Sequence, residues 1–166
     1  MPALRSLTLV ENALGDAGTA VLARALPSVT GLTELFLAEN EIGGVGAAAL
    51  ATALPSTRAL RAINMFHNQI GNRGAIALAQ ALPHSPGLDF LSLGGNEIGR
   101  KGAIAFAQAL PSSTGLEHLI LGFNPMGRAA KRQLRAAAAA ATAAGNRWLT
   151  LDLESNQFFD SDLDEE

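Results

Sequence analysis

The stretch LDFLSLGGNEIGRKGAIAFAQALP, residues 88–111, decides the fold of this chain. Leu91 and Leu93 stand two positions apart with Ser92 between them, which is the period of a β-strand. Phe106 and Leu110 then stand four positions apart in an alanine-rich segment, which is the period of an α-helix. The closing proline ends that helix, because proline cannot continue one. A strand followed by a helix predicts a parallel sheet with crossover helices if the unit recurs.

The unit does recur, and asparagines mark it. They are Asn12, Asn40, Asn68, Asn96, Asn124 and Asn156, the first five being 28 residues apart and the last 32 further on. A fixed period of this length is typical of stacked supersecondary units rather than of a globular core. An asparagine amide both donates and accepts hydrogen bonds, so we expect these side chains to satisfy buried backbone groups in the turns.

The shared frame, L-x-x-L-x-L-x-x-N, resembles the leucine-rich repeat. The 28-residue unit with I-G-x-x-G-A-x-A-L-A-x-A-L-P resembles the ribonuclease-inhibitor-like subclass, which also supplies the repeats of nucleotide-binding immune receptors and of the Ran GTPase-activating protein. The resemblance covers residues 4–158. It implies an α/β solenoid shaped as a horseshoe arc, with a parallel β-sheet on the concave face, α-helices on the convex face and about five and a half repeats.

We expect a single repeat domain over residues 1–159, followed by an acidic tail, 160–166, that is disordered. The expected repeats are residues 4–31, 32–59, 60–87, 88–115, 116–147 and 148–159. The first repeat has no polar cap before it, so its leucines should form an apolar edge. Either the native chain continues before this edge, or the edge contacts a partner or a second copy, which makes self-association possible.

Composition excludes several classes of function. The last seven residues hold five of the 15 acidic residues, so the remaining body is nearly neutral and strong nucleic-acid binding is not expected. The chain has no cysteine, and neither a signal peptide nor a membrane span is visible, so a cytoplasmic location is expected. One helix face carries Arg128, Lys131, Arg132 and Arg135, which is more often a solvated face than a site for an acidic partner.

Catalysis finds little support in the sequence. His67 and His118 lie two strands apart in the expected register, too far apart to share a metal ion. Ser92 and His118 lie on neighbouring strands, but no carboxylate is placed to orient the imidazole, and a triad is recognised by that geometry. We therefore expect neither an active site nor a cofactor or metal.

A binding surface is the expected function of the positions that the frame leaves free. On the exposed sheet face, aromatic residues cluster in repeats two to five, as a protein-binding surface requires. The candidate residues are Phe36, Asn64, Phe66, His67, Phe90, Ser92, His118, Ile120 and Phe123. We expect contact between Phe36 and Phe66, a second cluster of Phe90, His118 and Ile120, and a shallow gap at Gly94, Gly95 and Gly122. The alternative is that these rings only cover one another.

Two classes of function follow from the sequence. The first is a noncatalytic interaction module that binds an unidentified protein partner through the concave sheet face. The second, implied by the resemblance alone, is a regulator of a small GTPase similar to the Ran GTPase-activating protein. A fragment of a larger receptor-type protein is a further possibility, and none of these readings calls for a nucleic acid or a membrane as partner.

Overall fold

A computed structural model describes residues 4–144 and 149–153 of the chain, and in them six short strands alternate with five helices. The strands are Ser6–Thr8 (β1), Glu34–Phe36 (β2), Ala62–Asn64 (β3), Phe90–Ser92 (β4), His118–Ile120 (β5) and Thr150–Asp152 (β6). The helices are Gly15–Ala25 (α1), Gly44–Ala53 (α2), Gly71–Ala81 (α3), Arg100–Ala109 (α4) and Gly127–Ala143 (α5). Short 3₁₀ turns follow the first four helices at Leu26–Ser28, Leu54–Ser56, Leu82–His84 and Leu110–Ser112.

The strands form one parallel sheet in chain order, β1 to β6. From β1 to β5, residues 28 positions apart are paired, so that Leu35 lies beside both Leu7 and Ile63, and β5 pairs with β6 at a spacing of 32. Neighbouring strands lie about 4.8 Å apart and neighbouring helices about 8–10 Å apart, so such a stack curves with its sheet on the inside. The α/β solenoid expected from the sequence is therefore confirmed, and we call the sheet face turned away from the helices the concave face.

The core runs through the stack between the sheet and the helices. Leu35, Leu37, Ile42 and Leu50 of the second repeat are all fully buried. Glycine lets the helices approach closely, because a Cβ on Gly74 would stand 2.7 Å from the Ala47 Cβ. At the first repeat the apolar residues are less covered: Leu4 is 50% exposed, and Leu7 and Leu9 are only partly buried.

The asparagines form a ladder of buried hydrogen bonds. The Asn68 carboxamide oxygen accepts hydrogen bonds from the amides of Asn40 at 3.0 Å and Ile42 at 2.9 Å. Its nitrogen donates to the carbonyl oxygens of Leu37 at 2.9 Å and Met65 at 3.0 Å. Asn40, Asn68, Asn96 and Asn124 thus each tie their own turn to the preceding repeat, and they satisfy buried backbone groups as the sequence analysis expects. Asn156 lies outside the described residues, as do Trp148, Phe158 and the tail 160–166.

Two helices are capped by a side chain from the preceding repeat. The Asp16 carboxylate accepts hydrogen bonds from the amides of Gly43 and Gly46, at 2.9 and 2.6 Å, at the start of α2. The Asn72 carboxamide oxygen accepts one from the Gly102 amide, at 2.8 Å, near the start of α4. These bonds satisfy amides that a helix leaves unpaired in its first turn.

The basic face expected on α5 is not uniform. Arg128, Arg132 and Arg135 are exposed, but Lys131 is only 8% exposed and lies on the buried side with Leu134. The expectation of one solvated basic face is therefore wrong at Lys131. Its long hydrocarbon stem explains the burial, because lysine covers apolar surface with that stem. In the described residues, no helix is both long enough and apolar enough to cross a membrane.

Candidate functional site

An aromatic patch lies on the concave face and at the end of its strands. Phe66 follows β3 by two residues, and its ring lies over Gly94, where a Cβ would stand 2.9 Å from the phenylalanine Cδ2. The ring then meets Phe123 edge-on, with centroids 6.2 Å apart and planes 75° apart. This edge-to-face geometry is favourable for aromatic pairs. The pair spans three repeats, because Gly94 leaves the space between its two partners open.

His67 extends this patch toward the rim. Its ring centroid lies 4.4 Å from that of Phe66. A Cβ on Gly95 would stand 2.7 Å from the His67 Cδ2, so the imidazole lies over this glycine. The shallow gap expected at the glycines is therefore occupied by the rings of Phe66 and His67. We call Phe66, His67 and Phe123 the aromatic patch; Phe123 is 52% exposed and His67 is also exposed.

The remaining candidate aromatic residues are arranged differently. The sequence analysis expects contact between Phe36 and Phe66, but Phe36 forms no ring pair with any described residue, and Phe66 pairs with His67 and Phe123 instead. The reason is the open row of glycines on the C-terminal side of Phe66. Phe90 and His118 do pair, at 6.0 Å between centroids, as expected for the second cluster. Ile120 follows on the same strand and is half-buried.

Two polar candidates form the floor beside the patch. The Asn64 carboxamide oxygen accepts a hydrogen bond from the Phe66 amide at 2.9 Å, which fixes the backbone that carries the ring. Ser92 lies between Asn64 and Ile120 in the register and is only 5% exposed. Its hydroxyl makes no hydrogen bond within the part of the chain that the structure describes. Such a buried, unpaired hydroxyl is uncommon in proteins.

The rim beside the patch has a special backbone. The residue just before each ladder asparagine has a positive φ in the five described repeats, at Glu11, Glu39, His67, Gly95 and Phe123. Only one of these is glycine, the residue that adopts this conformation without strain. The sequence analysis did not detect this. The single glycine at this position of the frame, Gly95, is the only signal that could have indicated it.

A glutamate adjoins the aromatic patch. Glu39 adjoins it directly, since the Glu39 amide donates a hydrogen bond to the Phe66 carbonyl oxygen at 3.0 Å. Arg61 and Asp89 form an ion pair at 3.3 Å. The exposed carboxylate of Glu39 forms none within residues 4–144 and 149–153. In the same ranges, no group of three metal-binding side chains is placed to hold an ion.

Clefts that the sequence analysis missed lie on another rim. One of about 390 Å³ lies between the 3₁₀ turns of the second and third repeats, and a second of about 280 Å³ lies one repeat earlier. Arg58 lines both, while the aromatic patch lines neither. The aromatic patch is therefore distinguished by its exposed rings and not by a cleft.

Comparisons with known proteins agree with this fold. A family model described as "Leucine Rich repeat" matches residues 30–51, 58–79 and 84–107, so the chain contains leucine-rich repeats. No curated protein matches the sequence at a significant level. A solved structure of the leiomodin-1 actin-binding site 2 superposes with a TM-score of 0.73 at 19% identity, covering 84% of this chain and 82% of that one. The tropomodulin C-terminal domain of Caenorhabditis elegans superposes with a TM-score of 0.71 at 13% identity, covering 86% of each chain.

Proposed function

We propose that this leucine-rich-repeat chain is a noncatalytic module that binds a protein partner through the concave face, with the aromatic patch as its centre. The observation that carries the proposal is the exposure of Phe123 beside the rings of Phe66 and His67. Exposed aromatic side chains grouped on one face supply the buried contact area that protein interfaces need. These rings are not part of the hydrophobic core, which lies on the other side of the sheet.

The rest of the proposed surface extends from this centre across the sheet. Phe90 and His118 form a second aromatic pair on the same face. Phe36 and Ile120, at the ends of β2 and β5, are half-buried. Asn64 and Ser92 supply the polar groups between them. A surface of mixed rings and hydrogen-bonding groups, carried on a rigid sheet, resembles the composition of stable interfaces.

The comparisons support a binding module in general terms. The leiomodin-1 domain is titled as an actin-binding site, and it shares this fold. Monomeric actin is therefore a defined first partner to test, although 19% identity supports the shared fold and not the shared partner. The GTPase-regulator alternative receives no support from the comparisons. The ribonuclease-inhibitor-like subclass and the cytoplasmic location are finer parts of the proposal, supported by the 28-residue period and by the sequence expectations above.

The test is affinity capture with two variants of matched size. In the first, Phe66→Ala/Phe123→Ala removes the rings from the concave face. In the second, Val21→Ala/Val45→Ala removes apolar side chains that are 58% and 47% exposed on α1 and α2. Circular dichroism confirms that both fold. Each is compared with the unmodified chain for proteins captured from the source cell's lysate and for binding of monomeric actin.

We expect the partner to be lost with the two phenylalanines and retained by the valine variant. Removing aromatic residues at the centre of an interface commonly costs about 2 kcal/mol or more, which is a roughly 30-fold loss of affinity. A partner captured equally by the unmodified chain and by the phenylalanine variant would refute the proposed surface. Loss of the partner with the valine variant alone would move the binding surface to the helices.

A further inference from the structure

The rim around the aromatic patch has a uniform charge. It comprises the turn that follows the strand in each of the first five repeats. These turns are residues 10–13, 38–41, 66–69, 94–97 and 122–125. These segments contain four exposed glutamates and neither lysine nor arginine. The glutamates are Glu11, Glu39, Glu41 and Glu97. None of them forms an ion pair within the described ranges. The rim that includes the aromatic patch thus carries four carboxylates with no counter-ion among the described residues.

Two of these glutamates have backbone close to the residues that carry or underlie the rings. The Glu39 amide is hydrogen-bonded to the Phe66 carbonyl oxygen, so this glutamate follows the patch on its N-terminal side. Glu97 comes two residues after Gly95, the glycine that lies beneath the His67 ring. The two glutamates therefore belong to the repeats on either side of the one that carries Phe66 and His67.

Aromatic rings and carboxylates together favour one kind of ligand group. A ring face attracts a cation through its quadrupole, and a carboxylate binds arginine through charge-assisted hydrogen bonds. Arginine satisfies both at once, because its planar guanidinium stacks on rings while its edge donates to carboxylates. A purely apolar partner would instead bury carboxylates without a counter-charge, and an acidic partner would be repelled.

Ser92 is an independent observation that favours a polar group on the partner. Ser92 is only 5% exposed, its hydroxyl is unpaired within the described residues, and it lies on the same sheet face as Phe66, two residues before Gly94 in the chain. A buried hydroxyl without a partner is costly, and a hydroxyl oxygen can accept a hydrogen bond from a donor on the partner.

From these observations we propose that the partner presents a basic segment, with an arginine or lysine held between the aromatic patch and the carboxylates of Glu39 and Glu97. The inference rests on the proposed function and specifies its partner's chemistry. Sheet-face contacts would provide the area, and the cation would determine which segments bind. Because the carboxylates are exposed, binding should weaken as the salt concentration rises.

The probes for the test are three fluorescein-labelled octapeptides that differ only in charge. They alternate alanine with arginine, glutamine or glutamate. Fluorescence anisotropy measures their affinity for the full chain and for three variants, Phe66→Ala/Phe123→Ala, Glu39→Gln/Glu97→Gln and Asp162→Asn/Asp164→Asn. The last variant removes the same two charges from the acidic C-terminal segment and is the matched control for general attraction.

We expect the arginine peptide to bind about tenfold more tightly than the glutamine peptide, and the glutamate peptide to bind least. The Phe66/Phe123 variant and the Glu39/Glu97 variant should each lose about tenfold in affinity for the arginine peptide, while the Asp162/Asp164 variant stays within about twofold.

The outcomes separate this inference from the proposed function. Arginine and glutamine peptides that bind equally well, and both through the phenylalanines, would overturn the basic partner and leave the binding surface standing. An equal loss in the Asp162/Asp164 variant would reduce the effect to net charge and would also overturn it. Peptide binding that ignores the phenylalanines overturns the inference as well, and the affinity capture described above then decides the proposed function separately.

Discussion

Replacement of one buried ladder asparagine, Asn68→Ala, should destabilise the fold far more than its small change in volume suggests. The Asn68 oxygen accepts hydrogen bonds from the amides of Asn40 and Ile42, and both of those residues are fully buried. Each buried donor left unsatisfied costs about 1–3 kcal/mol, so two amides and the lost carbonyl partners predict a decrease of about 3–5 kcal/mol in the free energy of unfolding.

The same substitution along the ladder gives a graded series. Asn40 accepts from the amides of Asn12 and Leu14, which water can reach, so Asn40→Ala should cost about 1–2 kcal/mol. Asn12 is exposed, and its side chain donates one hydrogen bond, to the Val10 carbonyl oxygen at 2.8 Å. Asn12→Ala should therefore cost less than about 1 kcal/mol.

Urea denaturation followed by circular dichroism measures the series, with the free energy extrapolated linearly to water. The order of loss should be Asn68, then Asn40, then Asn12. If Asn68→Ala does not fold, Asn40→Ala against Asn12→Ala keeps the comparison informative. Equal losses for Asn68→Ala and Asn12→Ala would refute the reasoning, because the two side chains differ in the number and the burial of the hydrogen bonds they make.

Three further substitutions test the rest of the architecture by the same urea assay. Asp16→Ala removes the acceptor of the Gly46 amide and should cost about 1–2 kcal/mol, whereas Asp16→Asn keeps the oxygen and should lose less than half of that. Gly74→Ala should cost about 1–3 kcal/mol, because the added methyl group would press on the Ala47 Cβ. A change below about 0.5 kcal/mol would show that the helices move apart freely. Glu39→Gly should change stability by less than about 1 kcal/mol, since relief of the positive φ is offset by a more flexible unfolded chain; a larger loss would mean that this side chain supports the fold.

The fold could be predicted from the sequence because its determinants repeat. The positions of Leu35, Leu37 and Asn40 recur at the same spacing in every unit and hold two apolar residues and an asparagine each time, so the strand, its buried face and the ladder could be placed together. Parallel pairing in steps of 28 residues follows from the period alone. Stacked repeats are favourable for this reasoning, since each unit contacts mainly its neighbours.

The site could be predicted only in outline. The sequence placed Phe66 and Phe123 on one face, but adjacency in register favoured Phe36 as the partner of Phe66. The observed pair crosses an intervening repeat because Gly94 has no side chain there. Contact between two long side chains depends on the size of the residue that lies between them in the sheet. The repeat pattern treats each position by itself and therefore does not predict such contacts.

Helix caps and burial on α5 were missed for a different physical reason. Asp16 and Asn72 stand at the same position in the first and third repeats, where the second and fourth have Gly44 and Arg100. Their role depends on amides of the next repeat, so the signal is a two-repeat alternation rather than a local motif. The burial of Lys131 depends on which side of α5 packs against the core, which an alanine-rich helix hardly specifies.

The backbone of the rim links stability to the proposed function. The fold uses a left-handed residue before each ladder asparagine, and a residue other than glycine there carries a cost of about 1–2 kcal/mol. Glycine occurs at Gly95 alone, while Glu39, His67 and Phe123 occupy equivalent positions with exposed side chains. Packing does not explain these residues, because an exposed side chain adds little to the core. Strain that stability does not require is common at functional sites. The rim residues therefore support the proposed binding surface on grounds that are independent of their aromatic or acidic character.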